Sequence, residues 1–487
     1  MEQISFSEVH KQVLGEWAPD GRHLAAVSQN RLLVRGGNSL KLVQVYVCLD
    51  KVERIEWSPD SEFLLTEIVG RSVVQVWSLN DADWACRIDE GAAGVARARW
   101  GTSSAHVLIV SDFQLYLKVW SLSDQGAVTQ IRHPKYGNKG LSFSHDGCLL
   151  ALLRRTQCQD SVAVFSCQES FRQVADISIG GDFSDLRWMP GNGAILLWER
   201  PSRSTRLVWY SPDGQLLGQV DEFKLLRSVF LSPSLEIAAV GGFDGSLHLV
   251  NGVTRAPLTK FTHDLKAACV ETAESDVAVF REVFVGGGAS PQDTDGANAT
   301  VHAAARGGTV RYTRLPNPSS VQVPAERPGA EPAIDEDGLP RQGVGAAAWS
   351  PDERYIATKH DGMPTAVWVW DLGCLALVAL LIHRTPVRSF SWDTCGGLHG
   401  GSPRLALTTA VDPLIFFWSP EEARVVSSPI PAPSLQWRCD GQALLLQDRQ
   451  CACVCWAITP STWHTAAAAE DGDEAAGARQ GAARAKE

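Results

Sequence analysis

Short apolar runs alternate with turn residues in a phrase that recurs about every forty residues along this chain. Each phrase has an aromatic residue at the end of a first apolar run, a turn resembling Ser-Pro-Asp, and a third run that ends in an aromatic residue. In the stretch from Arg54 to Leu79, Trp57 closes the first run and Trp77 closes the third. The phrases start at Trp17, Trp57, Trp100, Phe143, Trp188, Phe230, Trp349, Trp392 and Trp437. This period predicts a repeat architecture.

The runs within a phrase have the length and composition of β-strands. Residues Val367 to Trp370 are apolar on both faces of a strand, so such strands must be covered on both sides. In a β-propeller each blade is a small antiparallel sheet packed between two neighbours, which supplies this cover. We therefore predict an all-β propeller, in one ring of eight to nine blades; two packed propellers are the alternative.

The two ends of the chain predict how the ring closes. The strand-like run from Ile4 to Val9 precedes the first phrase, and the last phrase ends at Cys455 to Ile458 without a partner strand after it. A terminal strand that completes the last blade removes an open sheet edge. We therefore expect the N-terminal strand, with Ile4 and Phe6 on one face, to close the ring.

Two segments break the rhythm. The propeller is predicted over residues 1–460, interrupted at about 271–342 by a flexible insertion that is rich in Gly, Ala and Pro. Within it, residues 277–284 and 309–315 could form a protruding hairpin. The Ala-rich tail, residues 461–487, lacks large side chains that could dock it, and we expect it to be disordered.

Charge and composition exclude several classes of partner. The net charge is -11 and no Lys/Arg-rich run occurs in the 487 residues, so we expect no nucleic-acid partner. The longest uncharged apolar stretch, Cys374 to Ile382, is too short to span a bilayer, and no membrane insertion is expected. The 12 Cys residues are scattered, as in reduced intracellular proteins.

No motif of a phosphate-binding loop, zinc protease, nucleophile elbow or kinase occurs, so we expect no enzyme and no cofactor. Cys451, Cys453 and Cys455 alternate along one strand and could form a thiolate cluster, but we interpret them as core residues. Several Ser-Pro pairs occur. Ser58, Ser211, Ser232, Ser350 and Ser419 are interpreted as turn residues, whereas Ser290, Ser402 and Ser428 are candidates for phosphorylation.

The phrase resembles a degenerate WD40 repeat. Trp370-Asp371 matches the family's dipeptide, and His133, His263 and His383 fall near the position of its His. Residues 4–9, 46–61, 75–94 and 366–393 resemble more closely one centrosomal family, called WD repeat-containing protein eight. That resemblance implies a non-enzymatic scaffold in the cytoplasm, on the cytoskeleton at the centrosome, spindle pole or ciliary basal body. It also implies a coiled-coil partner that anchors microtubule minus ends and, in fungi, a kinesin-14 motor.

Two other functions remain as alternatives, a translation-factor-like propeller and a ligand-binding or hydrolytic propeller. For the scaffold, the candidate partner-binding residues are Trp84, Asp89 and Glu90, because a large apolar side chain stands there among acidic ones. Either Trp84 anchors the connecting segment to its own blade, or it forms an aromatic contact ringed by acid for a basic helix.

Overall fold

The structure is a computed structural model. It describes residues 3–12, 14–124, 126–190, 193–199, 205–223, 226–263, 269–271, 277–285, 309–315, 320–324, 334, 340, 342–396 and 401–458. Within these ranges the helical elements are short 3-10 turns at Val69–Arg71, Gly91–Ala93 and Asp112–Gln114. None of the described helices is long and apolar enough to cross a membrane. The predicted disordered tail, 461–487, and most of the predicted flexible insertion lie outside the described residues.

The described strands form nine antiparallel blades in chain order. The N-terminal arm and blades 1 to 3 comprise β1 (Gln3–Phe6), β2 (His10–Lys11), β3 (Leu14–Trp17), β4 (His23–Ser28), β5 (Arg31–Gly36), β6 (Leu42–Val47), β7 (Arg54–Trp57), β8 (Phe63–Ile68), β9 (Val73–Ser78), β10 (Ala85–Asp89), β11 (Arg97–Trp100), β12 (His106–Val110), β13 (Tyr116–Ser121) and β14 (Gly126–Arg132). Blades 4 to 6 comprise β15 (Leu141–Phe143), β16 (Leu149–Thr156), β17 (Gln159–Ser166), β18 (Arg172–Ser178), β19 (Phe183–Trp188), β20 (Ile195–Glu199), β21 (Thr205–Tyr210), β22 (Leu216–Phe223), β23 (Leu226–Leu231), β24 (Ile237–Gly242), β25 (Ser246–Asn251) and β26 (Pro257–Thr262).

Four strands lie between blades 6 and 7 in the chain: β27 (Cys269–Glu271), β28 (Ala278–Val285), β29 (Thr309–Arg314) and β30 (Ser320–Gln322). Blades 7 to 9 comprise β31 (Val344–Trp349), β32 (Tyr355–His360), β33 (Ala366–Asp371), β34 (Ala376–Ile382), β35 (Val387–Trp392), β36 (Leu405–Thr409), β37 (Leu414–Trp418), β38 (Ala423–Ser427), β39 (Ser434–Trp437), β40 (Ala443–Gln447) and β41 (Cys451–Ile458). In a blade of four strands, the strands pair in chain order from the first to the fourth.

An apolar cluster joins each blade to the next. Leu64 of blade 2, for example, packs with Val34 of blade 1, whereas Leu65 of the same strand packs with Val107 of blade 3. The cluster that joins blade 9 to blade 1 contains Trp17, Leu24, Leu445 and Val454. Since the interfaces follow the chain from blade 1 to blade 9 and return to blade 1, the described residues form one ring. The alternative of two packed propellers was wrong.

The N-terminal strand completes blade 9, as the sequence predicts. β1 pairs with the outer edge of β41, with Ile4 opposite Ala457 and Phe6 opposite Cys455. Both side chains pack against the cluster between blades 8 and 9. A polar contact supports the closure, because the buried Arg438 guanidinium donates to the Gly37 carbonyl over 3.1 Å and to Asn38 Oδ1 over 2.8 Å.

In five blades the Trp at the end of the first strand bonds to the preceding blade. The indole Nε1–H donates to a backbone carbonyl in the first strand of the preceding blade. The acceptor is the residue just before the last residue of that strand. The bonds measure 3.0–3.2 Å and join Trp57 to Glu16, Trp100 to Glu56, Trp349 to Phe230, Trp392 to Ala348 and Trp437 to Ser391. In blade 6 the acceptor of the Trp349 bond is Phe230, the residue that the sequence pattern predicted as the anchor of that blade. The position that ends the first strand is Leu231, one residue after the predicted anchor.

Part of the predicted insertion is built into blade 7. β28 pairs in parallel with β34, and β29 pairs antiparallel with β28, so the hairpin extends the sheet. The Tyr312 ring lies 5.3 Å from the ring of Phe416 in blade 8, and Glu282 accepts the Arg384 N–H over 3.0 Å. The hairpin was predicted correctly, but its protruding position was wrong, because the apolar outer strand β34 needs cover.

Ring closure by β1 can be tested by truncation. Removing residues 1–9 takes away the strand that pairs with β41 and leaves the apolar edge of blade 9 in water. We expect a clearly lower melting temperature and self-association by light scattering. Removing residues 1 and 2 alone is the control and should change neither. A truncated protein that melts at the wild-type temperature and stays monodisperse would contradict this closure.

Candidate functional site

One position recurs between successive blades, the first residue after the fourth strand, and we call it the junction position. It is held by Cys48, Glu90, His133, Ile179, His263, His383 and Ser428. At each of these residues the backbone N–H donates to a carbonyl near the start of the third strand of the blade just completed. Six of these seven residues are buried next to the following blade, and His133 is exposed. The side chains of His263 and Glu90, whose contacts are described below, face the next blade.

His263 shows what this position does. Its Nε2 lies 2.8 Å from Thr358 Oγ1, its Nδ1 lies 2.8 Å from the Gly245 carbonyl, and Trp370 Nε1–H donates to Thr358 Oγ1 over 2.9 Å. Burial lowers the pKa of His263 to about 3, so the ring is neutral at physiological pH. The side chain ties the end of blade 6 to the second and third strands of blade 7.

Glu90 occupies the same position between blades 2 and 3. Its carboxylate is 0% exposed, and it accepts from Lys118 Nζ over 2.7 Å and from Trp120 Nε1 over 2.9 Å. Trp120 lies in the third strand of blade 3, as Trp370 does in blade 7. The placement of Glu90 among exposed acidic partner-binding residues does not fit this structure, because its carboxylate is occupied within the interface.

Trp84 directly precedes β10, and Asp89 is the last residue of that strand. The Trp84 ring is half-buried and meets the Phe63 ring edge-on with 5.2 Å between centroids, as expected if it anchors the connecting segment to its own blade. Asp89 is exposed and accepts from the Gly91 N–H and the Arg87 guanidinium over 3.0 Å each. Glu90 is therefore not one of the exposed acidic side chains near Trp84. Whether a partner contacts Trp84 or Asp89 stays a prediction.

Ser428, a candidate for phosphorylation, is also a junction residue and is buried. Its hydroxyl accepts the Ile430 N–H over 3.3 Å. Ser428 lies just after β38, and its burial disfavours phosphorylation in the folded protein. Ser402 is partly exposed and donates to Glu421 over 3.0 Å, and Ser290 lies outside the described residues.

The strongest apolar surface in the described strands is the outer strand of blade 1. Val43, Val45 and Val47 alternate along it, Leu49 lies two residues after its end, and all four are exposed; we call these four residues the blade 1 stripe. In blades 2, 3, 4 and 6, the two residues that flank the buried residue near the end of the fourth strand are polar. They are Arg87 and Asp89, Gln130 and Arg132, Asp176 and Ser178, and Lys260 and Thr262, where blade 1 has Val45 and Val47.

The alternating cysteines lie in β41. Cys453 and Cys455 are buried between blades, and burial raises the pKa of each thiol to about 12, so both are protonated. In the part of the chain that the structure describes, no cluster of His, Cys, Asp and Glu is arranged to hold a metal ion. These residues behave as core side chains.

Two carboxylates lie on the first strands of blades 1 and 2. Burial raises the pKa of Glu16 to about 7; the nearby Glu56 carboxylate acts in the same direction and Arg97 opposes it. Glu56 accepts the Trp100 N–H over 3.3 Å and lies 3.7 Å from Arg97. With a pKa of about 7, the Glu16 carboxyl group exchanges its proton near neutral pH; burial raises the pKa of Glu56 as well.

Comparisons with known proteins extend over nearly the whole chain. The mouse WD repeat-containing protein WRAP73 is 33% identical over 481 residues, which are 96% of this chain and 99% of that protein. Among solved structures, the C-terminal WD40 domain of Sif2 is similar with a TM-score of 0.47 and 14% identity, over 88% of this chain and 99% of that chain. No protein-family model matches.

The role of Glu90 can be tested against its exposed neighbour. Replacing Glu90 with Ala leaves the Lys118 ammonium and the Trp120 N–H without their buried acceptor, so we expect the free energy of unfolding to fall by about 3 kcal/mol. Replacing Asp89 with Ala, the control, should cost less than about 1 kcal/mol. Urea denaturation followed by circular dichroism measures both. Equal losses would show that Glu90 does not hold the interface.

The raised pKa of Glu16 predicts a pH dependence of stability. The folded protein holds this proton up to about pH 7, whereas the ordinary value in an unfolded chain is 4.5, so its contribution to stability falls as pH rises between these values. Glu16→Gln removes that dependence. We expect the melting temperature of the variant, relative to the wild type, to rise from pH 5 to pH 8, while the exposed control Glu62→Gln shows no such trend.

Proposed function

The chain belongs to the WD40-repeat family of mouse WRAP73, and we propose that it is a non-enzymatic scaffold that assembles other proteins around its ring. Family membership over nearly full length supports a shared architecture and role. Propellers present rigid loops and blade edges, on which binding surfaces can be held without an ordering cost. The buried side chains of Glu90, His263 and Ser428 at the interfaces have structural hydrogen-bond partners.

We further propose that the scaffold works at the centrosome, spindle pole or ciliary basal body. This finer assignment to the family called WD repeat-containing protein eight rests on the resemblance of stretches such as residues 46–61 and 75–94. The partner is then a coiled-coil protein that anchors microtubule minus ends, with a kinesin-14 motor in some complexes.

The blade 1 stripe is the observation that carries this proposal. β6 forms the outer edge of its sheet and, within the described residues, no further strand pairs with it. Val47 is 65% exposed at a position where other blades carry polar side chains. Exposed aliphatic side chains in one row on an open strand edge favour addition of a partner strand, because main-chain hydrogen bonds and apolar burial then form together.

Blade 7 provides a precedent within the same chain. Its fourth strand, β34, is also apolar on both faces, and there the chain's own β28 pairs with that strand. We propose that an extended apolar segment of the coiled-coil partner covers β6 in the same manner. The acid-ringed site expected around Trp84 is not needed for this contact.

The test is a proximity-labelling experiment in ciliated cells with the tagged protein and a paired variant. Val45→Asp with Val47→Asp places charge in the stripe without touching an interface between blades. We expect labelling of the centrosomal coiled-coil partner, and centrosomal enrichment of the tag, to fall at least about tenfold. The matched control is Val174→Asp on the outer strand of blade 4, which should keep both.

Stability measurements make the result interpretable. Since Val45 and Val47 are exposed, the paired variant should lose less than about 1 kcal/mol of stability and keep its circular dichroism spectrum. Unchanged labelling in this folded variant would show that the stripe is not the binding surface. Predominantly ribosomal labelling of the wild type would replace the centrosomal assignment with the translation-factor alternative.

A further inference from the structure

Three arginines meet on the face of the ring opposite the Ser-Pro-Asp turns. Those turns follow the first strands, so the residues that begin the first strands lie at the other end of the blades. Arg54 begins β7, Arg97 begins β11 at the equivalent position of the next blade, and Arg99 lies two residues further along β11. Residues that are far apart in the sequence thus form one basic cluster.

The arginine side chains line a cavity of about 470 Å³, which we call the arginine cavity. Its other walls come from the segment before the first strand of blade 4 and from the connection between β12 and β13. The lining residues are Arg54, Ala96, Arg97, Arg99, Gln114, Gly137 and Asn138. All its charged lining residues are cationic, and the amide side chains of Gln114 and Asn138 add polar groups.

The carboxylates near the cavity do not balance its charge. Buried Glu67 accepts from Arg54 over 2.9 Å and lies 3.5 Å from Arg97, which is also 3.7 Å from Glu56. Arg99 donates to the Asn138 carbonyl over 3.4 Å and, among the described residues, makes no ion pair with a carboxylate. Asp112 on the β12–β13 connection packs against Gly94 and does not line the cavity.

Burial lowers the pKa of Arg99, and the neighbouring Arg97 and Arg187 act in the same direction, while Glu56 and Asp185 oppose them. A half-buried guanidinium without a carboxylate partner has lost hydration that no ion pair replaces. An anion in the cavity would offset this loss through charge-assisted hydrogen bonds.

An exposed aromatic side chain stands beside the cavity. Phe113 is 88% exposed, and it has a φ of 57°, which is uncommon for a residue other than Gly. It immediately precedes Gln114 of the cavity wall, and Leu115, which follows, is also exposed. A strained backbone that holds a large apolar ring in water is costly for folding and is typical of a binding loop.

We propose that the arginine cavity and the adjacent Phe113, which together we call the mouth, bind an acidic segment of a partner protein. An anionic group, the carboxylate of Asp or Glu or the phosphate of a phosphorylated residue, enters the arginine cavity, and an apolar side chain of the segment packs on Phe113. Guanidinium groups form paired hydrogen bonds with both kinds of anion. The surface is separate from the blade 1 stripe, so it does not depend on the proposed contact there.

Fluorescence polarisation with the purified full chain tests this directly. The probes are a labelled peptide in which Glu residues flank a Leu, and the same peptide with phosphoserine or with Gln in place of Glu. We expect at least one anionic peptide to bind at least about tenfold more tightly than the Gln peptide, and less tightly as salt is raised. The two anionic peptides distinguish carboxylate from phosphate.

Paired variants assign the binding to the mouth. Arg99→Gln should abolish the preference for the anionic peptide, and Phe113→Asn, which tolerates a positive φ, should weaken binding at least about fivefold. Their controls are Arg87→Gln on an outer strand and Leu375→Asn, which replaces an exposed residue with a φ of 53°. Both controls should bind like the wild type.

Three results would overturn the proposal. They are equal binding of the Gln peptide, failure of both anionic peptides to bind, and unchanged binding by an Arg99→Gln variant that melts at the wild-type temperature. If Arg99→Gln melts lower, Phe113→Asn decides, because its exposed side chain supports no packing. None of these results depends on the centrosomal assignment, which the labelling of the stripe variant tests separately.

Discussion

The whole architecture depends on the packing of each blade against the blade before it. The aromatic residue at the end of a first strand fills this interface, and in five blades its indole donates to a carbonyl of the neighbour. A single blade cannot bury both faces, so each needs a partner on each side. The chain of interfaces is complete only when blade 9 meets blade 1. Arg438 bonds across that junction, and the N-terminal strand connects the two blades because it completes blade 9 and leads into blade 1.

The junction position shows how different chemistry performs one structural task. Where the fourth strand ends, His263 accepts from a hydroxyl, Glu90 accepts from an indole and an ammonium, and Ser428 accepts from a backbone N–H. Each satisfies polar groups that would otherwise be buried without a partner. At these three junction positions different side chains keep the interface hydrogen-bonded, whereas Ile179 at the same position packs in the apolar cluster between blades 4 and 5. A buried carboxylate at this position is a structural residue.

The rigid ring leaves two surfaces that its own packing does not explain. The blade 1 stripe is apolar and lies on an outer strand, whereas the arginine cavity is cationic and lies beside Phe113 on one face. The two surfaces suit different contacts. The blade 1 stripe suits the addition of a partner strand, and the arginine cavity suits the recognition of an anion. The acidic net charge of the chain makes the cationic mouth a local feature that the overall composition conceals.

The forty-residue period, the aromatic anchors and the unpaired terminal strand determined a propeller closed by its N-terminus, because strands that are apolar on both faces have few ways to be covered. Blade number and a single ring were decided only by the interfaces, which join residues hundreds of positions apart. Sequence also misplaced the site: Glu90 looks like an exposed acid beside Trp84, yet the next blade buries it against Trp120. Its position one residue after the fourth strand, shared with His263, was the signal that could have revealed this. Arg54, Arg97 and Arg99 form no basic run, and only the side-by-side packing of blades 2, 3 and 4 gathers them around one cavity.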